Sequence, residues 1–221
     1  MRYLGLALYA EGPTDYYFLS PVLLRLCEEL CLRAATDPVE IGTILALDDP
    51  EQARHLGREQ RIEAAAVEAR NAWNILFVHT DGEGDPERAA AERVEPALAR
   101  LKALDGNTGI GVAVIPVRET EAWAILDGDA LRQVLGTTLT DQALGLPRTA
   151  RDAEKAKDPK ALLNQAFKAT QPTGRRKSLG TSPYLGALGE QVALDKLRDA
   201  PSFATLEAKL TDALRRLAIL N

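Results

Sequence analysis

Four short runs of apolar residues stand out along the chain, and each has the length of a β-strand. None of them shows a clean two-residue alternation of apolar and polar positions. Strands that are covered by helices on both faces of a parallel sheet have this pattern, because neither face meets water. The pattern therefore predicts strands at residues 3–10, 39–47, 74–80 and 110–117.

Helical patterns separate these strands. Their apolar residues recur at three- and four-residue spacing, and Pro stands at or near the first turn of two of them. The predicted helices cover residues 14–34, 50–72 and 86–104. Strands and helices that alternate in this way predict an α/β fold, an open parallel sheet of about four strands with right-handed crossovers.

The pattern changes after the fourth strand, because no further strand is predicted there. Residues 171–186 contain three Gly and two Pro and are predicted to form a loop, whereas 138–147 form a short helix or a loop. The other segments are predicted helices at 119–136 (broken by Gly128), 158–170 (capped by Asp158), 189–197 and 201–220. We predict an α/β domain at residues 1–127 and a mostly helical C-terminal extension, packed on it, at 128–221.

Composition and cysteine placement narrow the class of protein. The chain has 221 residues, of which 46% are hydrophobic and 27% charged, a balance typical of a globular protein. No apolar run approaches the length of a membrane span, and no signal peptide is predicted. Cys27 and Cys31 lie four residues apart on the apolar stripe of a predicted helix. This spacing indicates core thiols in a reducing, cytoplasmic compartment.

Charge is distributed unevenly along the chain. The net charge is -5, but residues 148–177 carry nine Lys and Arg against three Asp and Glu, so this segment is at +6 and the remainder at -11. A basic segment beside an acidic remainder suits a polyanionic substrate that is held against metal ions. A solvated helical face is the alternative interpretation of the basic segment.

Each predicted strand ends in a carboxylate. The carboxyl ends of parallel strands meet at one edge of the sheet, where ligands bind in open α/β folds. A cluster of like charges needs neutralisation, and the many acids, with only two histidines, favour a hard cation, Mg²⁺ or Mn²⁺. Two such ions can activate water and stabilise the leaving oxygen in phosphodiester cleavage. The candidate metal ligands are Glu11, Asp81, Glu83, Asp85, Glu119 and Glu121, whereas Asp48, at the end of the second strand, is assigned to a helix start.

Structural alternatives exist for several of these residues. Asp85 precedes Pro86 and also fits a helix cap, and Asp15 also fits a charge in the first turn of a helix. Asp81 and Glu83 face one ion together only if their segment is extended, and the same holds for Glu119 and Glu121. Five further residues are candidates for substrate binding: Asp15, His79, Arg175, Arg176 and Lys177. For His79, a packed or hydrogen-bonded histidine is the alternative interpretation.

A set of motifs in a fixed order resembles a known family. An N-terminal strand that ends in Glu-Gly, followed by Thr-Asp and by an acidic turn after a later strand, resembles the Toprim fold of topoisomerases, primases and overcoming-lysogenization-defect nucleases. The chain more closely resembles the DUF4276 family, small Toprim-like proteins often linked with bacterial defence ATPases. The motifs are "AEGPTDYYFL", "FVHTDGEGD", "PVRETEAWAILD", "DPKALL" and "APSFATLEAKL".

The resemblance implies roles for single residues. Glu11 corresponds to the Toprim glutamate, with a general acid/base or metal role, and Asp81 and Glu83 fill the DxD positions. Glu121 and Glu119 complete the implied metal site. The second DxD position is Glu here, which departs from the Toprim pattern. The sequence has no tyrosine in a recognisable topoisomerase motif and no zinc-binding element. Topoisomerase and primase activities are therefore not expected.

These observations lead to a functional hypothesis and an alternative. The first is a Mg²⁺-dependent phosphodiesterase, a nuclease of bacterial antiviral defence that acts on nucleic acid with a partner ATPase of the AAA or ABC type. Glu11, Asp81 and Lys177 are its predicted catalytic residues. The alternative is a non-catalytic Toprim-like effector or adaptor that binds a metal or a protein. A receiver-like phosphoacceptor is disfavoured, since the fourth strand ends in Arg118-Glu119-Thr120 and no fifth strand with a terminal Lys follows. The sequence leaves homo-oligomerisation open.

Overall fold

Four parallel strands form the sheet at the centre of the molecule. The computed structural model describes residues 1–104, 106 and 109–221. The strand order is β2-β1-β3-β4, and all three neighbouring pairs are parallel. This arrangement confirms the predicted α/β class with an open parallel sheet of four strands. The strands are β1 (Arg2–Tyr9), β2 (Val39–Ala46), β3 (Ile75–His79) and β4 (Ile110–Val114).

Helices connect the strands and continue to the C-terminal end of the described chain. The second predicted helix is shorter than expected because Gly57 has an extended backbone and forms the N-cap of α2. The helices of the sheet region are α1 (Pro13–Ala34), α2 (Arg58–Glu68), α3 (Pro86–Ala89) and α4 (Glu95–Ala103), with a 3₁₀ turn at Glu51–Ala53 and a π-helical turn at Ala90–Val94.

The C-terminal part is helical, as predicted. Asp127 accepts the backbone N–H groups of Asp129 and Ala130 and so starts a new helix at the predicted break, and Asp158 caps its helix as expected. The prediction of a loop over 171–186 was wrong, because a helix and a 3₁₀ turn (Ser182–Tyr184) lie there. The helices are α5 (Glu121–Ala124), α6 (Gly128–Leu135), α7 (Asp141–Leu144), α8 (Ala150–Lys155), α9 (Pro159–Ala169), α10 (Gly174–Leu179), α11 (Leu185–Gln191), α12 (Leu194–Arg198) and α13 (Pro201–Arg216).

The central strands β1 and β3 are covered on both faces, which explains why they lack alternation, whereas the edge strand β2 has no buried residue. Successive side chains of a strand point to opposite faces. Leu6 and Leu8 of β1 join a core formed with α1 and the C-terminal helices. Ala7 and Tyr9, the intervening residues, join a second core formed with α2 and α4. Apolar side chains are therefore needed on both faces along the buried part of β1, residues 4–9.

The C-terminal helices share a hydrophobic core with the sheet. Trp123 is fully buried and meets the ring of Phe203 on α13 edge to face, with 5.3 Å between the ring centroids. Cys27 and Cys31 are buried free thiols in the same core, as predicted. The division after residue 127 stays a prediction about domain organisation. None of the helices that the structure describes has the length and apolarity needed to cross a membrane.

Candidate functional site

Glu11 and Asp81 lie side by side at the carboxyl edge of the sheet. They follow β1 and β3, which are neighbours in the sheet with Tyr9 opposite Val78. The Oε2 atom of Glu11 accepts hydrogen bonds from the Thr80 hydroxyl (2.6 Å) and from the backbone N–H of Asp81 (3.1 Å). Two strand ends that are far apart in the sequence therefore converge, as the sequence predicted.

The surroundings of Glu11 favour its ionised form. Burial raises the pKa of this carboxyl, whereas the hydrogen bonds from Thr80 and Asp81 lower it. The positive charges of Arg58 and Arg93 lower the pKa further, and the net shift is below the usual value. The Nη1 atom of Arg93 lies 3.6 Å from Glu11 Oε1. Glu11 is consequently a carboxylate at neutral pH.

His79 lies between two carboxylates below this edge. Its side chain is fully buried, with Nδ1 3.7 Å from Asp15 Oδ2 and Nε2 3.5 Å from Asp81 Oδ1. The three side chains place one potential ligand atom each within 4.8 Å of one another. His79 Nε2 and Asp81 Oδ1 are buried atoms for which no hydrogen-bond partner exists among the described residues. Buried polar atoms normally have a hydrogen-bond partner, and the described residues supply none for these two.

Asp15 is fixed in place by two hydrogen bonds. Its Oδ2 atom accepts the backbone N–H of Gly12 (3.0 Å), and its Oδ1 atom accepts the hydroxyl of Thr120 (2.6 Å). Gly12 is the N-cap of α1, so Asp15 does serve the first helical turn. The same carboxylate also faces His79, so the structural and the functional interpretations both apply to it.

The turn after Asp81 is not extended. The backbone of Glu83 is left-handed, with φ of 51°, and Gly84 follows with φ of 93°. Glu83 therefore does not continue the direction of Asp81, and its carboxylate pairs with Arg93 at 2.9 Å. Asp85 accepts the backbone N–H of Arg88 and caps α3. Of the three acids in this turn, Asp81 belongs to the cluster with Asp15 and His79, and Glu83 and Asp85 do not.

Glu119 and Glu121 flank Thr120, whose hydroxyl donates to Asp15. Helix α5 starts at Glu121, so the segment is not extended, but both acids meet Lys160, whose Nζ atom lies 3.9 Å from Glu121 Oε1. Glu119 accepts the backbone N–H of Lys160 at the start of α9 (3.2 Å). Burial raises the pKa of Glu121, and the negative charges of Glu119 and Asp15 add to the rise, although its own backbone N–H and Lys160 oppose it.

The basic residues of α10 divide into two kinds. Arg176 is partly buried, because its guanidinium packs against the rings of Phe167 and Tyr184 and donates to the Tyr184 hydroxyl and to the carbonyl of Leu135. Arg175 and Lys177 are exposed. In the described part of the chain, none of these three side chains hydrogen-bonds or ion-pairs with the acidic cluster. The prediction that they bind substrate stays a prediction.

Some residues of the site were not predicted. Four residues hold the acids in place, although their partners are distant in the sequence, namely Thr80, Thr120, Arg58 and Arg93. Both threonines lie inside the quoted motifs beside candidate ligands, and that position was the signal that could have found them. Two carboxylates with an imidazole form a donor set that Mn²⁺ accepts, and the carboxylates alone suit Mg²⁺. The unpartnered atoms of His79 and Asp81 fit such an ion.

The match to known proteins is limited to a family model. Residues 10–211 match the model described as a domain of unknown function, DUF4276. No curated protein and no solved structure matches the chain. The matched range includes every residue of the site, from Glu11 to Lys177. The relationship to the Toprim fold stays a prediction, but the chain belongs to the DUF4276 family.

Proposed function

We propose that this protein is a metal-dependent phosphodiesterase that cleaves nucleic acid with Mg²⁺ or Mn²⁺. The observation that carries the proposal is the cluster of Asp15, His79 and Asp81, in which two buried ligand atoms face each other without a hydrogen-bond partner among the described residues. The carboxylate of Glu11 lies directly above this cluster. Divalent ions held by clustered carboxylates catalyse phosphodiester hydrolysis in many enzymes.

Each residue has a defined part in this proposal. Asp81 Oδ1 and His79 Nε2 would hold the ion, and Asp15 would accept the Nδ1–H of the imidazole, as carboxylates do for metal-bound histidines. An ion held there would supply charge stabilisation at the phosphate oxygens. Glu11 is ionised and accepts a proton from the attacking water, whose oxygen bonds to phosphorus while the bond to the leaving oxygen breaks.

The cellular setting follows from the family resemblance. We propose that the protein acts in bacterial antiviral defence, in the cytoplasm, together with a partner ATPase. The two buried thiols suit a reducing compartment. Arg175 and Lys177, which are exposed on α10, supply positive charge for a polyanion.

A cleavage assay tests the proposal. Purified protein, with and without its partner ATPase, is incubated with single- and double-stranded DNA and RNA in Mg²⁺, Mn²⁺ or chelator. We expect metal-dependent products from the wild type and from Glu87→Gln, an exposed acid at the start of α3. Glu11→Gln should lose at least about a hundredfold in rate, as loss of a general base does, and Asp81→Asn should lose metal-dependent cleavage because it removes a ligand of the ion. Cleavage that persists in both variants would overturn the proposal.

A non-catalytic effector is the second candidate. The observation in its favour is that several acids of this edge already have partners within the chain: Glu83 pairs with Arg93, Asp85 caps α3 and Glu119 binds the start of α9. Such an edge has fewer free ligands for a second ion. Metal binding by calorimetry without cleavage of any of the nucleic acids, with partner present, would favour this candidate.

A further inference from the structure

A cavity of 380 Å³ opens beside the acidic edge, at the carboxyl ends of β1 and β2. Glu11 forms part of its wall, so the cavity adjoins the proposed catalytic site. Two arginines from α2, Arg58 and Arg61, form another part of the wall, and Tyr17 from α1 also lines it. The cavity therefore combines two arginines and several tyrosine rings with three acids, Glu11, Asp48 and Asp49.

The two arginines differ in how their charge is balanced. Arg61 forms an ion pair with Asp49, which also accepts the hydroxyl of Tyr9. Arg58 donates from Nη2 to the backbone carbonyl of His79 (2.7 Å) and packs on the ring of Tyr9, 5.5 Å from its centroid. Within the described ranges, no carboxylate oxygen lies within 4 Å of the Arg58 side-chain nitrogens. The Nε atom of Arg58 is buried and has no hydrogen-bond partner there either.

Such a guanidinium is suited to an external anion. Partly buried arginines normally have a carboxylate or a phosphate as their partner, since the planar fork matches both. The hydrogen bond to the carbonyl of His79 holds the Arg58 side chain against the end of β3, two residues before Asp81. A phosphate bound to Arg58 would therefore lie next to the one that Glu11 and Asp81 address.

Tyr17 supplies a surface for a base. Its side chain is 58% exposed, although it lies on the wall of a cavity. Tyr16, its neighbour, donates its hydroxyl to Leu47 (2.6 Å) and is held in place. An exposed aromatic ring beside a phosphate-binding arginine is the combination that single-stranded nucleic acids use, because an unpaired base can stack on it.

We propose that this cavity binds one nucleotide of a single-stranded nucleic acid, with its phosphate on Arg58 and its base on Tyr17. The choice of a nucleic acid as ligand rests on the proposed function, but binding in the cavity does not require cleavage. The nucleotide that it holds would be the neighbour of the one whose phosphodiester bond reaches Glu11.

The phosphate contact is tested by fluorescence anisotropy with labelled oligothymidylate, in EDTA and in Ca²⁺. Arg58→Gln removes the charge and keeps an amide that can donate to His79; Arg54→Gln, at an exposed arginine that ends the 3₁₀ turn before α2, is the matched control. We expect Arg58→Gln to bind about tenfold more weakly than Arg54→Gln. Its dependence of log K on log salt should also flatten by about 0.7, the value for one phosphate on a single strand.

Two results would overturn the phosphate contact: no binding by the wild type in either buffer, or equal affinities of the Arg58→Gln and Arg54→Gln proteins. Thermal unfolding confirms that the variants fold. If Arg58→Gln does not fold, Arg58→Lys keeps the charge but loses the planar fork, and it should weaken binding severalfold. Unchanged affinity of Arg58→Lys would then count against the proposal.

The base contact is tested separately. Tyr17→Leu should weaken binding of oligothymidylate about tenfold, whereas Tyr3→Leu, at a tyrosine that is 60% exposed elsewhere, should not. On an abasic chain of the same length, Tyr17→Leu and the wild type should bind equally. A Tyr17→Leu protein that binds oligothymidylate like the wild type removes the base contact. Cleavage is measured apart from binding. If the wild type binds oligothymidylate as expected but cleaves no nucleic acid, the proposed function is contradicted and the nucleotide-binding cavity is not.

Discussion

The Nε2 atom of His79 lies 3.5 Å from the Oδ1 atom of Asp81, and both atoms are buried without a hydrogen-bond partner in the part of the chain that the structure describes. The Nδ1 atom of the same ring accepts the backbone N–H of Glu11 (3.4 Å). A divalent ion bound here would exchange this arrangement for one in which Nδ1 donates to Asp15.

Metal binding should therefore stabilise the folded protein. At a concentration about a hundred times its dissociation constant, Mn²⁺ would add about 2.7 kcal/mol to the free energy of unfolding. For a chain of this length that corresponds to a rise in Tm of several degrees, measured by differential scanning fluorimetry. Asp81→Asn and His79→Asn should remove the rise, whereas Glu87→Gln should keep it. A full rise in Asp81→Asn would mean that the ion binds elsewhere.

The hydroxyl of Thr120 should contribute to stability through Asp15. Both residues are buried, and the hydrogen bond between them is 2.6 Å long. Thr120→Val keeps the shape but leaves the carboxylate without this donor, so we expect a loss of about 1.5–3 kcal/mol in the free energy of unfolding by urea. Thr120→Ser keeps the hydroxyl and is the control. Equal losses in both variants would assign the effect to packing of the methyl group.

Gly82 should not tolerate a side chain. A Cβ atom at this position would lie 2.6 Å from the carbonyl oxygen of Val117 and would also collide with the carbonyl of Pro116. We expect Gly82→Ala to lower the free energy of unfolding by about 2 kcal/mol or more, because the clash is with backbone rather than with a flexible side chain. Gly186→Ala, in α11 with its nearest neighbour at 3.8 Å, should be neutral or stabilising. Urea unfolding compares the two.

Stability should depend on pH through Glu121. Because burial raises its pKa in the folded state, the folded protein binds the proton more tightly than the unfolded chain does. The resulting stability is fully present below the unfolded pKa and is lost as pH rises through the folded pKa. In chelator, Glu121→Gln should be more stable than the wild type near pH 7, and the difference should vanish below about pH 4. A difference that does not change with pH would contradict this account.

The basic residues of α10 should separate stability from binding. Arg176→Ala loses two aromatic contacts and the bond to Tyr184, so the free energy of unfolding should fall by about 1–3 kcal/mol. Lys177→Ala, at an exposed position, should stay within about 0.5 kcal/mol of the wild type in urea unfolding. If Lys177 holds a substrate phosphate, this variant lowers nucleic-acid affinity alone. A large loss of stability in Lys177→Ala would contradict its exposed position.

The sequence was sufficient to predict the sheet and the edge at which its acids meet. Buried strands lack alternation, and parallel strands place their ends together, so Glu11 and Asp81 were expected near each other without knowledge of any contact. Side-chain direction was harder to predict. Glu83 was expected to face the same ion as Asp81, but its left-handed backbone turns it towards Arg93. Nothing in the local pattern signals this conformation, because Glu rarely adopts it.

Long-range partners could not be predicted from one sequence. Asp15 and Thr120 are separated by 105 positions, and a threonine before a helix is too common to indicate a buried carboxylate as its partner. Helix α10 was missed for a related reason. Its glycines and flanking prolines favour a loop, but Arg176 packs on two aromatic rings and holds the helix in place. Tertiary contacts, rather than propensity, decide such segments.

The hydrophobic core between α1 and the C-terminal helices limits which truncations and chimeras of this protein can fold. Leu6, Phe18, Trp123 and Phe203 belong to one buried cluster, although the sheet and the helical extension contribute to it from opposite ends of the chain. A truncation after residue 127 would uncover this surface on the sheet and invite aggregation. The C-terminal helices therefore cannot be exchanged on their own between family members. A chimera should also exchange the core residues of the sheet that contact them.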